Sequence, residues 1–235
     1  MPHWLSLFSG IMSESPHSRR TAPPYRPEMM RVVEQQREVS PELEREEKIQ
    51  GFYGWHERGY LPHRDEPGLT QFVTFRLADS LPAAQQDEWE KLLKIEDDRE
   101  RRIQLEAWLD LGHGTCHLKD SRVAEIVASA MKKFDGTRYR LHAWTVMPNH
   151  VHVLFETFEV PMRKILQQWK GSTARVANTL LGLQSAFWQG DYWDTFMRDA
   201  DHQDRTIRYI RNNPVKAGLA SDWKAWPWTY VHEDQ

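Results

Sequence analysis

The run Trp144-Thr145-Val146-Met147-Pro148-Asn149-His150-Val151-His152-Val153-Leu154-Phe155 narrows the fold more than any other stretch. It is apolar and rich in β-branched residues, which suit a pleated, half-buried surface. Met147-Pro148-Asn149 reads as a tight connection between two strands, Tyr139 to Val146 and His150 to Glu156. Side chains alternate faces along a strand. His150 and His152 therefore share one face, and Val151 and Val153 take the other. Two imidazoles on one strand face can ligate a divalent metal together or act jointly on a phosphate. The structural alternative is a pair of histidines on a half-exposed sheet face.

A chain of 235 residues with eleven tryptophans can bury a substantial core. No apolar run approaches the length of a membrane span, and the apolar patch Trp4 to Met12 has no basic lead-in, so it reads as neither signal nor anchor. A single cysteine, Cys116, excludes an internal disulfide framework and fits a reducing cytoplasm. Charge is uneven. Residues 1–130 hold 17 Lys and Arg against 23 Asp and Glu, whereas residues 131–220 hold 13 against 8. The basic part contains the histidine run, which suits a polyanionic partner.

Residues 1–50, dominated by Ser, Pro, Arg and Glu, read as a disordered leader up to about Arg45. The remainder, 51–235, reads as one domain, with an acidic helical insert at 82–120 and a tail at 221–235. Gly51 to Gly68 is expected as loop and Gln71 to Leu77 as a half-buried strand. A charged helix is expected from about Pro82 to Leu109, with Ser80 as its N-cap. Helices are also expected over Ser121–Phe134 and Pro161–Leu181, the latter closed by Gly182. His113, Cys116 and His117 lie in the turn-rich break between 111 and 120, where a zinc site lacks a fourth ligand.

The last expected helix runs from Asp199 or Asp201 to just before Pro214. Tyr209 and Asn213 stand four residues apart on it, so one face can present both. A phenol beside two metal-binding imidazoles is a coherent nucleophilic site: the metal polarises a phosphate and the tyrosine attacks phosphorus. The Asn213 amide oxygen could complete a hard-metal site, although a residue before proline is biased away from helical angles.

These pieces resemble the single-tyrosine transposases with a His-hydrophobe-His motif, and within them the REP-associated branch. The matching segments are Val146 to Leu154, Trp188-Gln189, Tyr192-Trp193-Asp194, Met197-Arg198-Asp199, Tyr209 to Leu219 and Trp226-Pro227-Trp228. The resemblance covers about residues 70–230. It implies an α+β, ferredoxin-like antiparallel sheet with helices packed on it. It implies that Tyr209, His150 and His152 are catalytic, and that His150, His152 and Asn213 hold Mg²⁺ or Mn²⁺. It further implies cleavage and rejoining of single-stranded DNA beside hairpins through a 5′-phosphotyrosine, by a monomer or homodimer with no membrane partner. The 82–120 insert is longer and more acidic than in compact members of the family.

Lys170, Arg198, Trp188 and Arg205 are candidate DNA contacts, the alternatives being ion pairs for the cations and core packing for Trp188. Asp194 and Glu156 could orient a histidine or be structural acids. Three other functions compete. A domesticated hairpin binder has no need of Tyr209. A histidine-triad hydrolase needs a further histidine where Leu154 stands. A replication initiator or relaxase shares the paired-histidine chemistry but not the C-terminal motifs.

Overall fold

The computed structural model describes residues 43–57, 62–81, 88, 91–92, 94–95 and 98–232. Seven strands form two sheets among them. A short hairpin pairs β1 (Gly54–Glu57) with β2 (Pro62–Asp65). The main sheet is wholly antiparallel, in the order β6-β3-β5-β4-β7. Its strands are β3 (Thr70–Arg76), β4 (Tyr139–Val146), β5 (His150–Thr157), β6 (Trp193–Phe196) and β7 (Thr229–Val231). Five helices are described: α1 (Arg45–Gln50), α2 (Asp98–Asp110), α3 (Ser121–Lys132), α4 (Met162–Leu181) and α5 (Ala200–Lys216).

Taken in chain order, β3-α3-β4-β5-α4-β6 is a split βαβ arrangement with the strand order 4-1-3-2 of a ferredoxin-like sheet. The α+β reading holds. Alternation along β5 divides the molecule into two layers. Val151, Val153 and Phe155 point to one face and pack with Val123, Val127 and Met131 of α3 and Ile165, Leu166 and Trp169 of α4. His150, His152 and Leu154 point to the other, where Leu154 packs with Phe72, Ala143, Ile207 and Ile210 beneath α5. The α4 helix ends at Gly182, whose φ of 67° is left-handed as a C-terminal glycine requires.

The C-terminal segment closes the far edge of the sheet. β7 pairs with β4 from Ala143↔Val231 to Thr145↔Thr229, and the Trp226 Nε1 donates to the Val146 carbonyl at 3.0 Å. Val231 packs against the Ile207–Ile210 cluster. β7 therefore secures β4 and the underside of α5 together.

Four expectations are corrected. Gly51–Gly68 holds a hairpin rather than a loop. It lacks an apolar alternation because its order comes from tertiary contacts, His63 Nδ1 with Asp194 and Asp65 Oδ1 with the Met162 N–H. Of the leader expected over residues 1–50, residues 1–42 lie outside the described residues, and Arg45–Gln50 is a helix. A reciprocal capping box of Glu44 and Glu47 starts it, and Gly51 ends it. The charged helix appears as Asp98–Asp110, while Pro82 and most of 82–97 lie outside the described residues. Finally, α5 continues through Pro214 to Lys216. Pro214 forfeits one helical hydrogen bond, but its ring and Asn213 are buried, and that packing holds the extra turn. No described helix is long and apolar enough to cross a membrane.

Phe155 is fully buried against Tyr139 and Trp169. Phe155→Ala is expected to lower unfolding stability by about 3–5 kcal/mol, measured by urea titration. Asp65 is nearly inaccessible, and burial pushes its carboxyl up to about 6. Between the ordinary carboxylate value and about 6 the folded chain holds a proton that the unfolded chain has released. Stability contributed by this group therefore falls as pH rises through that window. Asp65→Asn keeps the oxygen that accepts from Met162 and is expected to flatten the pH 4–6 slope relative to wild type.

Candidate active site

The site lies on the α5 face of the main sheet. β5 is paired on both sides, so its register fixes both histidines: His152 sits opposite Thr74 on β3 and Thr145 on β4, and His150 sits opposite Arg76. Both imidazoles are fully buried. Their Nε2 atoms stand 3.0 Å apart, and the Tyr209 hydroxyl lies 3.3 Å from the His152 Nε2. The Phe72 ring stacks on His152 at 5.5 Å and meets Tyr209 edge-on at 5.9 Å, bracing the pair from below.

The protonation of His150 follows from its neighbours. The Asn149 Nδ2 donates to the His113 carbonyl at 3.0 Å, which turns the Asn149 Oδ1 toward the His150 Nδ1 at 2.8 Å. An amide oxygen only accepts, so His150 carries its proton on Nδ1 and presents a lone pair at Nε2. The His113 carbonyl is held in place through Asp79. Thr115 donates to Asp79 Oδ2 from both its N–H and its hydroxyl. Gly114, at φ 85°, lets the backbones meet: a Cβ there would come within 2.5 Å of the Asp79 carbonyl oxygen. His152 has more freedom, since the Thr74 hydroxyl, 2.8 Å from its Nδ1, can donate or accept. A proton on the His152 Nε2 can bridge to His150, and a cation that displaces it meets two lone pairs.

Burial sets the charge state of all three groups. It pushes His150 down to about 3 and His152 well below the usual imidazole range, so both are neutral at pH 7. It also pushes the Tyr209 phenol up, reinforced by the Glu106 and Asp110 carboxylates of α2, with Glu106 within hydrogen-bonding reach of the hydroxyl. Tyr209 is thus a neutral phenol.

The residues present fit a hard divalent ion. Adjacent ligands about 2.1 Å from an octahedral ion stand about 3.0 Å apart, which matches the imidazole spacing. Asn213, one helical turn beyond Tyr209, is buried beside the phenol, which its amide acts on, and neither its Oδ1 nor its Nδ2 makes a hydrogen bond of good geometry. A buried amide so loosely satisfied can turn its oxygen to a cation. Among the described residues no group of three His, Cys, Asp or Glu side chains is already closed up as a metal site, and the buried Asn213 amide beside Tyr209 is a further donor.

The other expected contacts divide. Arg198 and Arg205 are exposed, and Arg205 precedes Tyr209 by one turn of α5. Lys170 donates to the carbonyls of Gln189 and Gly190 at 2.7 and 2.9 Å, clamping that loop onto α4. The structure places Trp188 in the α3–α4 core rather than on a surface a base can reach. Its Nε1 donates to the Thr173 hydroxyl, and its ring packs edge-on against Phe75 at 4.9 Å. Asp194 pairs with His63, and Glu156 with Arg140 at 3.8 Å, so neither orients the paired histidines. Sequence reasoning missed Asn149, Thr74, Arg76, Glu106 and Asp110. The alternation of β3 places Thr74 and Arg76 on the histidine face once pairing is known. Glu106 and Asp110 carry no local signal beyond their four-residue spacing.

Residues 117–213 match the family described as Transposase IS200 like. The REP-associated tyrosine transposase of Escherichia coli K12 is 26% identical over 102 residues, which cover 41% of this chain and 56% of that protein. A Haemophilus influenzae relative is 24% identical over 100 residues, 38% of this chain and 57% of its own length. The chain thus spans little more than half the length of the curated relatives it matches. A solved REP-associated tyrosine transposase bound to a REP hairpin is 18% identical, covers 74% of this chain and 80% of its own, and has a TM-score of 0.45. The matched segment begins at His117, after α2, and ends at Asn213, so it contains both imidazoles, the phenol and the amide.

¹⁵N NMR on histidine-labelled protein is expected to show His150 as the Nδ1–H tautomer, neutral down to pH 5. An Nε2-protonated His150 would contradict the role given to Asn149.

Proposed function

We propose that the chain is a metal-dependent DNA transferase of the tyrosine-transposase kind, which cleaves and rejoins single-stranded DNA beside hairpins. The observation that carries this reading is the placement of the Tyr209 hydroxyl 3.3 Å from one of two buried, neutral imidazoles whose Nε2 atoms stand 3.0 Å apart. A phenol beside paired imidazole lone pairs serves phosphoryl transfer, and a binding protein gains nothing from either group.

His150, His152 and Asn213 would hold Mg²⁺ or Mn²⁺. When bound, the ion supplies Lewis-acid polarisation of a phosphate oxygen. The chain's own residues do the rest. The Tyr209 Oη attacks phosphorus, its bond to phosphorus forms, and the P–O3′ bond breaks. The 5′ end stays on Tyr209 as a phosphotyrosine, and the 3′ oxygen leaves and takes up a proton. The Glu106 carboxylate, within reach of the hydroxyl, receives the phenolic proton and is placed to return it on reversal. Because the phosphoester energy stays in the Tyr209 ester, rejoining by a free 3′-OH needs no nucleotide. Burial excludes water from the imidazole side, which protects that ester from hydrolysis. Arg198 and Arg205, both exposed, would meet phosphates of the bound strand. The partner would be hairpin-bearing single-stranded DNA, the protein acting as a monomer or homodimer in the cytoplasm.

The test is a denaturing gel of labelled, hairpin-bearing single-stranded DNA incubated with Mn²⁺ or Mg²⁺. Wild type is expected to give a protease-sensitive covalent adduct. Tyr209→Phe is expected to give none while still binding the hairpin, and Glu106→Gln to form adduct at least about tenfold more slowly. Adduct retained by Tyr209→Phe would overturn the assignment. Binding without adduct by wild type in both metals would favour a domesticated hairpin binder.

A further inference from the structure

Asp110 is the last residue of α2, in the acidic insert and outside the matched segment. Its two carboxylate oxygens have different fates. Oδ2 takes an ion pair from the Lys216 Nζ at 3.2 Å, across the end of the tyrosine helix α5. Oδ1 is buried without a hydrogen-bond partner and stands 4.0 Å from the His150 Nε2. A buried, unshared carboxylate oxygen is costly unless a cation or donor meets it. His150 offers no donor there, because its proton is held on Nδ1 by Asn149.

We infer that Asp110 is a further protein ligand of the divalent ion, binding through Oδ1 alongside His150, His152 and Asn213. This rests on the metal-dependent reading above. The Asp110 Oδ1 stands 4.0 Å from the His150 Nε2, near enough for both atoms to reach one divalent ion through bonds of about 2.1 Å. Lys216 fixes the carboxylate by its far oxygen and leaves the near one for the ion. The ligand set would then be the two imidazole nitrogens, the Asn213 amide oxygen and the Asp110 carboxylate oxygen. A carboxylate in that set favours hard ions such as Mg²⁺ and Mn²⁺ over softer ones. The acidic insert thereby takes part in the chemistry, because α2 carries a charge to the site that the matched segment does not supply.

The test is Mn²⁺ binding to the full chain, followed by the electron paramagnetic resonance signal of free Mn²⁺, without DNA. Asp110→Ala is expected to bind at least about tenfold more weakly than wild type, and Lys133→Ala, an exposed residue just beyond α3 on the other side of the sheet, as wild type. With Co²⁺ as the probe, the visible d–d bands are expected to shift in Asp110→Ala, where a ligand is lost, and to stay put in Lys133→Ala. Circular dichroism and thermal midpoint without metal verify folding. If Asp110→Ala is unfolded, Asp110→Asn takes its place, with binding weakened at least about threefold by loss of the charge. Wild-type Mn²⁺ affinity in the folded Asp110 variant, or weaker binding with unshifted Co²⁺ bands, would overturn the inference. His150→Ala separates the two levels. If it loses Mn²⁺ binding while the Asp110 variant does not, only the inference fails; if it too binds as wild type, the metal-dependent reading fails beneath it.

Discussion

Strand β5 is hydrogen-bonded along both edges, to β3 and to β4, and every arrangement around the site inherits that register. Slipping either pairing by one residue would turn His150 and His152 into the α3–α4 core and drive Val151, Val153 and Phe155 toward α5. The cost of burying two imidazoles in the wrong layer, and of exposing three apolar side chains, is what makes the register unambiguous. A central strand is also the stiffest place in the fold to mount two groups whose nitrogens must hold a 3.0 Å spacing.

Burial then converts position into chemistry. The same desolvation that lowers both imidazoles raises the phenol, so none of the three groups carries charge in the resting protein. Negative charge near them comes from α2, through Glu106 and Asp110, and positive charge from Lys216 on α5. The three central groups are uncharged and closely confined, and the ionised groups stand one step back from them.

The legible part of the molecule was the part governed by local periodicity. The period-two run gave the paired histidines on one strand face, the period-3.6 stripe gave α4 from its first turn to Gly182, and the Tyr209–Asn213 spacing placed phenol and amide together. What escaped was set by contacts across the chain. The β1–β2 hairpin has no amphipathic pattern because Asp65 and His63 are ordered by Met162 and Asp194, about a hundred residues or more away. Pro214 was expected to stop α5, yet burial of Asn213 and the proline ring outweighs one missing hydrogen bond. Trp188 looked like a stacking residue because aromatic character alone does not distinguish a base platform from a core side chain. The Thr173 hydroxyl and Phe75 decide it.

The closing strand β7 lies beyond Tyr209 in the chain and completes the edge of the sheet against which α5 rests. A ribosome emits the imidazoles first, the phenol some sixty residues later, and the strand that secures their meeting last of the three. Through most of synthesis the groups that make up the site are therefore present but unassembled. A chain of this design brings its paired imidazoles and phenol into lasting register only once the C-terminal strand has left the ribosome and closed the sheet.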